Sequence, residues 1–195
     1  MPAPPHSGSA TFGRTAAILG TLAVAALFAL VLALSVGSVA VDSAAILHAL
    51  AGSASGTEAA IVRELRLPRA LAAFAVGGLL ALAGALMQVL LRNPLADPYI
   101  LGVSGGASFA ALCGMSAGVA AALSPALAWA GALVSILIVF GLARGEGPWS
   151  GTRLLLTGVV TASGWAALIS LLLTLGPDGS LRGMLFWLLG DLSYA

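Results

Sequence analysis

Cysteine, lysine and charge of either sign are scarce in this chain. One cysteine, Cys113, stands among 195 residues. It has no partner for an internal disulfide, and a single thiol is not a metal site. Lysine is absent, so arginine supplies all eight basic residues, against seven acidic ones. The two histidines, His6 and His48, are far apart, and neither has a second ligand at metal spacing. Charged residues make up 8% of the chain, where a soluble domain carries about 25%. So few charges cannot clothe a soluble sphere of this size. A net charge of +1 leaves no basic footprint for nucleic acid. No nucleophile is paired with a base. GVSGGAS at 102–108 is glycine-rich but lacks the Gly-Lys-Ser/Thr ending of a phosphate loop. It lies in an apolar stretch and reads as helix packing.

What is present is apolar length. Hydrophobic residues are 60% of the chain, and charge-free stretches run over 15–41, 70–91, 98–143 and 154–177. A helix needs about 20 apolar residues to cross the hydrocarbon core. Spans are expected at 15–36, 70–91 and 154–175. The stretch 98–143 suits two, 98–118 and 123–143, with a turn near Gly118 to Pro125. A β-barrel would alternate with period two, whereas LLALAGALMQVLL at 79–91 is continuous. The expected fold is all-α, a polytopic transmembrane helical bundle. Residues 1–14 read as a short disordered cytoplasmic tail, and the first run is too long for a signal-peptide core. The positive-inside rule does not orient the chain. Arg14, Arg92, Arg144 and Arg153 flank one side, and Arg63, Arg66, Arg69 and Arg182 the other. An intramembrane enzyme would need paired ionisable groups inside its spans. There are none in 98–143 or 154–177.

Helices in lipid associate through small residues at four-residue spacing. Ala73, Gly77, Ala81 and Ala85 form such a stripe on the second span. Gly102 with Gly106, and Gly114 with Gly118, form pairs on the third; Gly158, Ala162, Ala166 and Ser170 form a stripe on the fifth. The segment Arg92–Pro98 is a tight reversal. Pro94 biases Asn93 away from helix, and Asp97 with Pro98 reads as an N-cap and first residue for the third span. Gln88 is polar near the end of its span and reads as an interfacial or interhelical group. Between the first two spans, Asp42 or Ser43 can cap a short helix over 44–50. AGSASGT at 51–57 reads as a linker, and 58–67 as a second short helix ended by Pro68. Arg63, Arg66 and Arg69 then cluster at the mouth of span two. They read either as a headgroup anchor or as a docking patch for carboxylates, which arginine takes bidentately.

Residues 65–112, LRLPRALAAFAVGGLLALAGALMQVLLRNPLADPYILGVSGGASFAAL, closely resemble the FecCD/BtuC-type permeases. These are membrane subunits of ABC importers for iron–siderophores, haem and cobalamin. Arg-x-Pro-Arg, a small-residue span ending in Gln, Asn-Pro-Leu-Ala-x-Pro and Leu-Gly-Val-Ser-x-Gly-Ala follow in order. RLLLTGVVTA at 153–162 resembles the family's fifth span, and FWLLGDLS at 186–193 the stretch after it. The resemblance covers roughly residues 40–195.

The resemblance implies a cytoplasmic N-terminus, with loop 42–69 outside and Asn93–Asp97 inside. It implies that Arg66 and Arg69 dock glutamates of a substrate-binding protein; Arg63 lies outside the motif. It implies a cytoplasmic gate at Asn93, Leu95, Gly151 and Thr152, and a translocation path along the fifth span with Thr157 and Thr161. The implied partners are a second permease subunit (the same chain or a different one), ABC ATPase subunits and a periplasmic or lipoprotein substrate-binding protein. A metal-chelate substrate and membrane lipid complete the set, with no nucleic acid, no cofactor and no resident metal. The location implied is the bacterial cytoplasmic membrane, and ATP hydrolysis falls to a partner. The chain holds about five spans of an expected ten. On this resemblance residues 15–195 are the N-terminal half of the transmembrane domain, as from an interrupted reading frame or a fragmentary sequence. The substrate expected is a metal chelate, iron–siderophore first, with haem and cobalamin open. The alternative is a transport-incompetent membrane fragment.

Overall fold

The computed structural model describes residues 8–53, 55–144, 150–176 and 178–192. Every regular element among them is helical, and the fold is an all-α polytopic bundle. Four helices are long and apolar enough to cross a membrane: Phe12–Ser35, Thr57–Leu91, Ala121–Ala143 and Gly151–Leu175. A fifth apolar helix, Val103–Ser116, is shorter. The described residues up to Phe74, together with Leu192, form one unit; Ala75–Asp191 form another.

In the first unit, α1 (Gly8–Ser35) starts earlier than the apolar run. Residues 8–14, expected as disordered tail, are helical. No proline lies beyond Pro5 to interrupt the hydrogen-bond ladder there. Residues 1–7 of the expected tail lie outside the described residues. α2 (Ser43–Leu50) follows Asp42, whose backbone is extended but whose side chain makes no cap bond. α3 (Thr57–Ala60) does not end at Pro68. It runs through a π-helical stretch, Ile61–Arg66, directly into α4 (Leu67–Leu91). The Leu67 N–H donates to the Val62 carbonyl, five residues back. In a plain α-helix the Pro68 ring would press on the carbonyl four residues back. The wider turn just before it relieves that clash, so the proline is absorbed. Leu34, Val41, Ile46, Ala49, Ala59 and Val62 form this unit's core.

In the second unit the chain leaves α4, makes a 3-10 turn (Pro98–Leu101), and enters α5 (Val103–Ser116). A second 3-10 turn (Ala121–Leu123) leads into α6 (Ser124–Ala143). α7 (Gly151–Leu175) and α8 (Asp178–Leu188) complete it. The expected third span over 98–118 is therefore broken. Asp97 accepts the Tyr99 N–H at 2.8 Å and caps only the 3-10 turn. Gly102 then turns left-handed (φ +67°), and Gly118 (φ +74°) closes the far end. The 14 residues of α5 rise only about 21 Å, short of the ~30 Å hydrocarbon core. α7 begins before its expected start at 154, because Ser150 caps it by accepting the Arg153 N–H at 3.4 Å.

Apolar surface alone does not drive helices together in lipid, so close backbone approach must. α5 shows it on two sides. A Cβ on Gly106 would stand 2.5 Å from the Gly131 carbonyl oxygen of α6 and 2.7 Å from Ser135 Cβ. A Cβ on Gly105 would stand 2.7 Å from Trp165 Cβ of α7, and one on Gly158 of α7 2.6 Å from the Ile100 carbonyl oxygen in the 3-10 turn before α5. α4 contrasts with this: of its 25 residues only Met87 is buried.

Candidate functional site

The π-helical stretch carries Arg63 and Arg66, and Arg69 follows in the first turn of α4. A helix C-terminus leaves carbonyls without intrahelical donors and carries partial negative charge. Arg66 serves such an end. Its Nη1 donates to the Leu34 carbonyl at 2.6 Å and to the Ser35 carbonyl at 3.3 Å, the last two residues of α1. Its Nη2 donates to the Val39 carbonyl just beyond. Arg63 does the same for α2, donating from Nε to the Ala49 carbonyl. The Arg63 Nη2 is buried with no partner among the described residues. Arg69 is exposed, and its Nε donates to the Leu192 carbonyl at 3.3 Å. The three arginines thus share one helix but bind different groups.

The expected gate residues lie in the second unit. α4 ends with the Asn93 N–H on the Gln88 carbonyl and the Arg92 N–H on the Val89 carbonyl, the Schellman pattern. Its left-handed position is taken by Arg92 (φ +47°) rather than glycine. Asn93 then shapes the reversal: its Oδ1 accepts the Leu95 N–H at 3.0 Å, and its carbonyl accepts the Ala96 N–H at 3.1 Å. Ala96 is buried with Met87, Leu101 and Leu154, while Leu95 is 85% exposed at the tip. Gln88 and Tyr99 line a shallow groove with this loop. A Cβ on Gly151 would lie 3.7 Å from Leu91 Cδ2, so the start of α7 sits beside the end of α4. Thr152 is exposed next to it. Farther along α7, Thr157 and Thr161 are half-buried and one turn apart. The Thr161 hydroxyl donates to the Thr157 carbonyl at 2.8 Å.

The packing residues divide sharply. Gly102 and Gly106 lie against α7 and α6, whereas Gly77 and Ala81 are exposed, and a Cβ on Gly77 meets nothing within 4 Å. One buried polar group escaped the sequence reading. Ser135, fully buried in α6, donates to the Gly102 carbonyl at 2.8 Å and accepts the Trp165 indole N–H at 2.9 Å. Trp165 also stacks at a tilt on Phe109, with centroids 5.4 Å apart. A serine alone in an apolar run, with a tryptophan on another span, was the available signal. Arg92 had none, since its left-handed backbone is invisible in composition. Among the described residues no three His, Cys, Asp or Glu side chains converge to hold a metal.

The ferric enterobactin transport system permease protein FepD of Escherichia coli (strain K12) is 43% identical over 191 residues, covering 95% of this chain and 56% of its own. The vitamin B12 import system permease protein BtuC of Vibrio vulnificus is 39% identical over 152 residues, covering 73% and 44%. A solved inward-facing structure, described as an ABC transporter of metal-chelate type, superposes with TM-score 0.74 at 25% identity, covering 91% of this chain and 54% of that one. The chain thus spans about half the length of the relatives it matches. The family model of the FecCD transport family matches residues 24–195. The chain belongs to the FecCD transport family.

Proposed function

We propose that this chain is part of the permease subunit of an ABC importer, passing a metal chelate across the bacterial cytoplasmic membrane. The observation that carries the reading is the family match over residues 24–195. The subunit does no covalent chemistry. ATP is hydrolysed on ABC ATPase partners, and the helices alternate their tilt around the path. A second permease subunit and a periplasmic or lipoprotein binding protein complete the assembly. Iron–siderophore is the leading substrate, supported by the relative named for ferric enterobactin transport. The relative named for vitamin B12 import keeps cobalamin as the alternative.

The residue roles follow this reading. Arg66 and Arg69 dock carboxylates of the binding protein on the outer face. Asn93, Leu95, Gly151 and Thr152 narrow the cytoplasmic end, a role supported by the hydrogen-bonded Asn93 turn and the exposed Leu95 tip. Thr157 and Thr161 face the path. Gly77 and Ala81 pack against helices supplied by the remainder of the permease, which is supported by the open space over Gly77. On that account residues 1–195 alone do not transport.

The test is uptake of labelled ferric chelate in a strain lacking its own permeases, with the full-length gene expressed beside its neighbours. Uptake that stops when the ATPase is inactivated is expected. No uptake of ferric chelate or cobalamin, while the binding protein still binds its ligand, sinks the transport reading. Robust uptake by residues 1–195 alone would sink the claim that this half is incompetent.

A further inference from the structure

We infer that the end of α1, with Gly37 at its centre, is the positioning element of the docking site. It holds the Arg66 guanidinium so that one carboxylate can seat on it. This rests on the docking reading above.

A guanidinium has five N–H donors in a rigid planar fork. Arg66 commits three of them to the Leu34, Ser35 and Val39 carbonyls. Two remain, the number one carboxylate accepts in a bidentate pair. The carbonyls therefore fix the plane of the fork before any partner arrives, and ordering a long side chain beforehand removes a cost of association. A lysine has the charge but no fork, so charge alone does not reproduce the arrangement.

Gly37 makes room for this. A Cβ there would stand 2.5 Å from Arg66 Nη2 and 3.0 Å from Cζ. The three nearest atoms all belong to the tip of the Arg66 side chain, so alanine at 37 displaces the guanidinium, the flexible end, before any backbone. Gly37→Ala is thus a change of aim with no change of charge. Gly20, also in α1, has nothing within 4 Å of its Cβ position and serves as the control.

The experiment uses the full-length permease with its ATPases in nanodiscs and measures the Kd of the cognate binding protein. Gly37→Ala is expected to weaken docking about tenfold, or about 1.4 kcal/mol, although both arginines remain. Arg66→Lys is expected to match it, and Gly20→Ala to bind as the wild type. Adding Gly37→Ala to Arg66→Ala is expected to cost nothing more. Wild-type affinity in Gly37→Ala, or losses that multiply in the double variant, would overturn the inference and leave the docking reading standing. Absence of any docking by the wild type would overturn the docking reading, and the inference with it.

Discussion

Replacing Ser135 by alanine removes one hydroxyl that links three helices. Its two partners are then deprived unequally. The Gly102 carbonyl keeps the Gly106 N–H at 3.1 Å, so it loses one of two donors. The Trp165 indole N–H loses the partner it has at 2.9 Å, on a half-buried ring. A buried donor without an acceptor costs about 1–3 kcal/mol. Interhelical hydrogen bonds in membrane proteins measure lower, about 0.6 and at most about 1.7 kcal/mol. The half-buried ring argues for the lower scale, and the two simultaneous links argue for its upper end. A loss of about 1.5 kcal/mol is expected for Ser135→Ala. The assay is denaturant unfolding of the full-length subunit in micelles, repeated for Trp165→Phe and the double variant. The pair should show a coupling of about 0.6 kcal/mol or more. A Ser135→Ala variant within about 0.3 kcal/mol of wild type, or single losses that simply add, would refute the reasoning.

Gly106→Ala drives a methyl onto backbone atoms that cannot rotate away, and should cost about 3 kcal/mol, the upper end for overpacking; a thermal midpoint unchanged from wild type contradicts the packing described. Arg92→Gly removes a side chain from a left-handed residue and should raise stability by about 1 kcal/mol; a lowered unfolding midpoint argues against that strain. Gly77→Leu in the full-length subunit should destabilise by about 2 kcal/mol if another helix covers that face; wild-type stability would show that the face meets lipid. Arg69→Ala should weaken docking of the binding protein about tenfold, with a smaller salt dependence; an unchanged Kd removes Arg69 from the site.

Long-range apolarity was legible in the sequence, and local register was not. The charge-free runs announced α1, α4, α6 and α7 because a span is a property of about 20 residues together. α5 was overestimated because hydropathy does not sense backbone conformation. Nothing apolar or polar marks Gly102 as the left-handed break. Pro68 was read as a stop because proline excludes the α-helical bond, yet a π turn satisfies the same constraint differently. The stripes at Gly77 and at Gly106 have the same spacing in sequence. Only one has a neighbour among the described residues, since spacing records that a helix can be approached and not by what. The loop from Asn93 to Asp97 was the most legible feature, because Asn93, Pro94 and Asp97 each impose local geometry. Arg66 was legible as a cation at the mouth of a span. Its hold on the α1 carbonyls depends on a contact 32 residues away, which no local pattern carries.

The π-helical stretch at Ile61–Arg66 also bears on how insertions and deletions act on this part of the protein. A π turn holds one residue more than the α-helix around it. Deleting Leu65 there would remove no charge, but it would shorten the Thr57–Leu91 helix by one residue and bring back the Pro68 clash that the wider turn relieves. It would also turn α3 by about 100° relative to the start of α4. Arg63 would stay with α2, while Arg66, on the far side of the deletion, would be carried away from the α1 carbonyls. The stretch behaves as a phase adjuster: the length of chain between Ile61 and Arg66 sets the angle at which α2 and α3 meet α4.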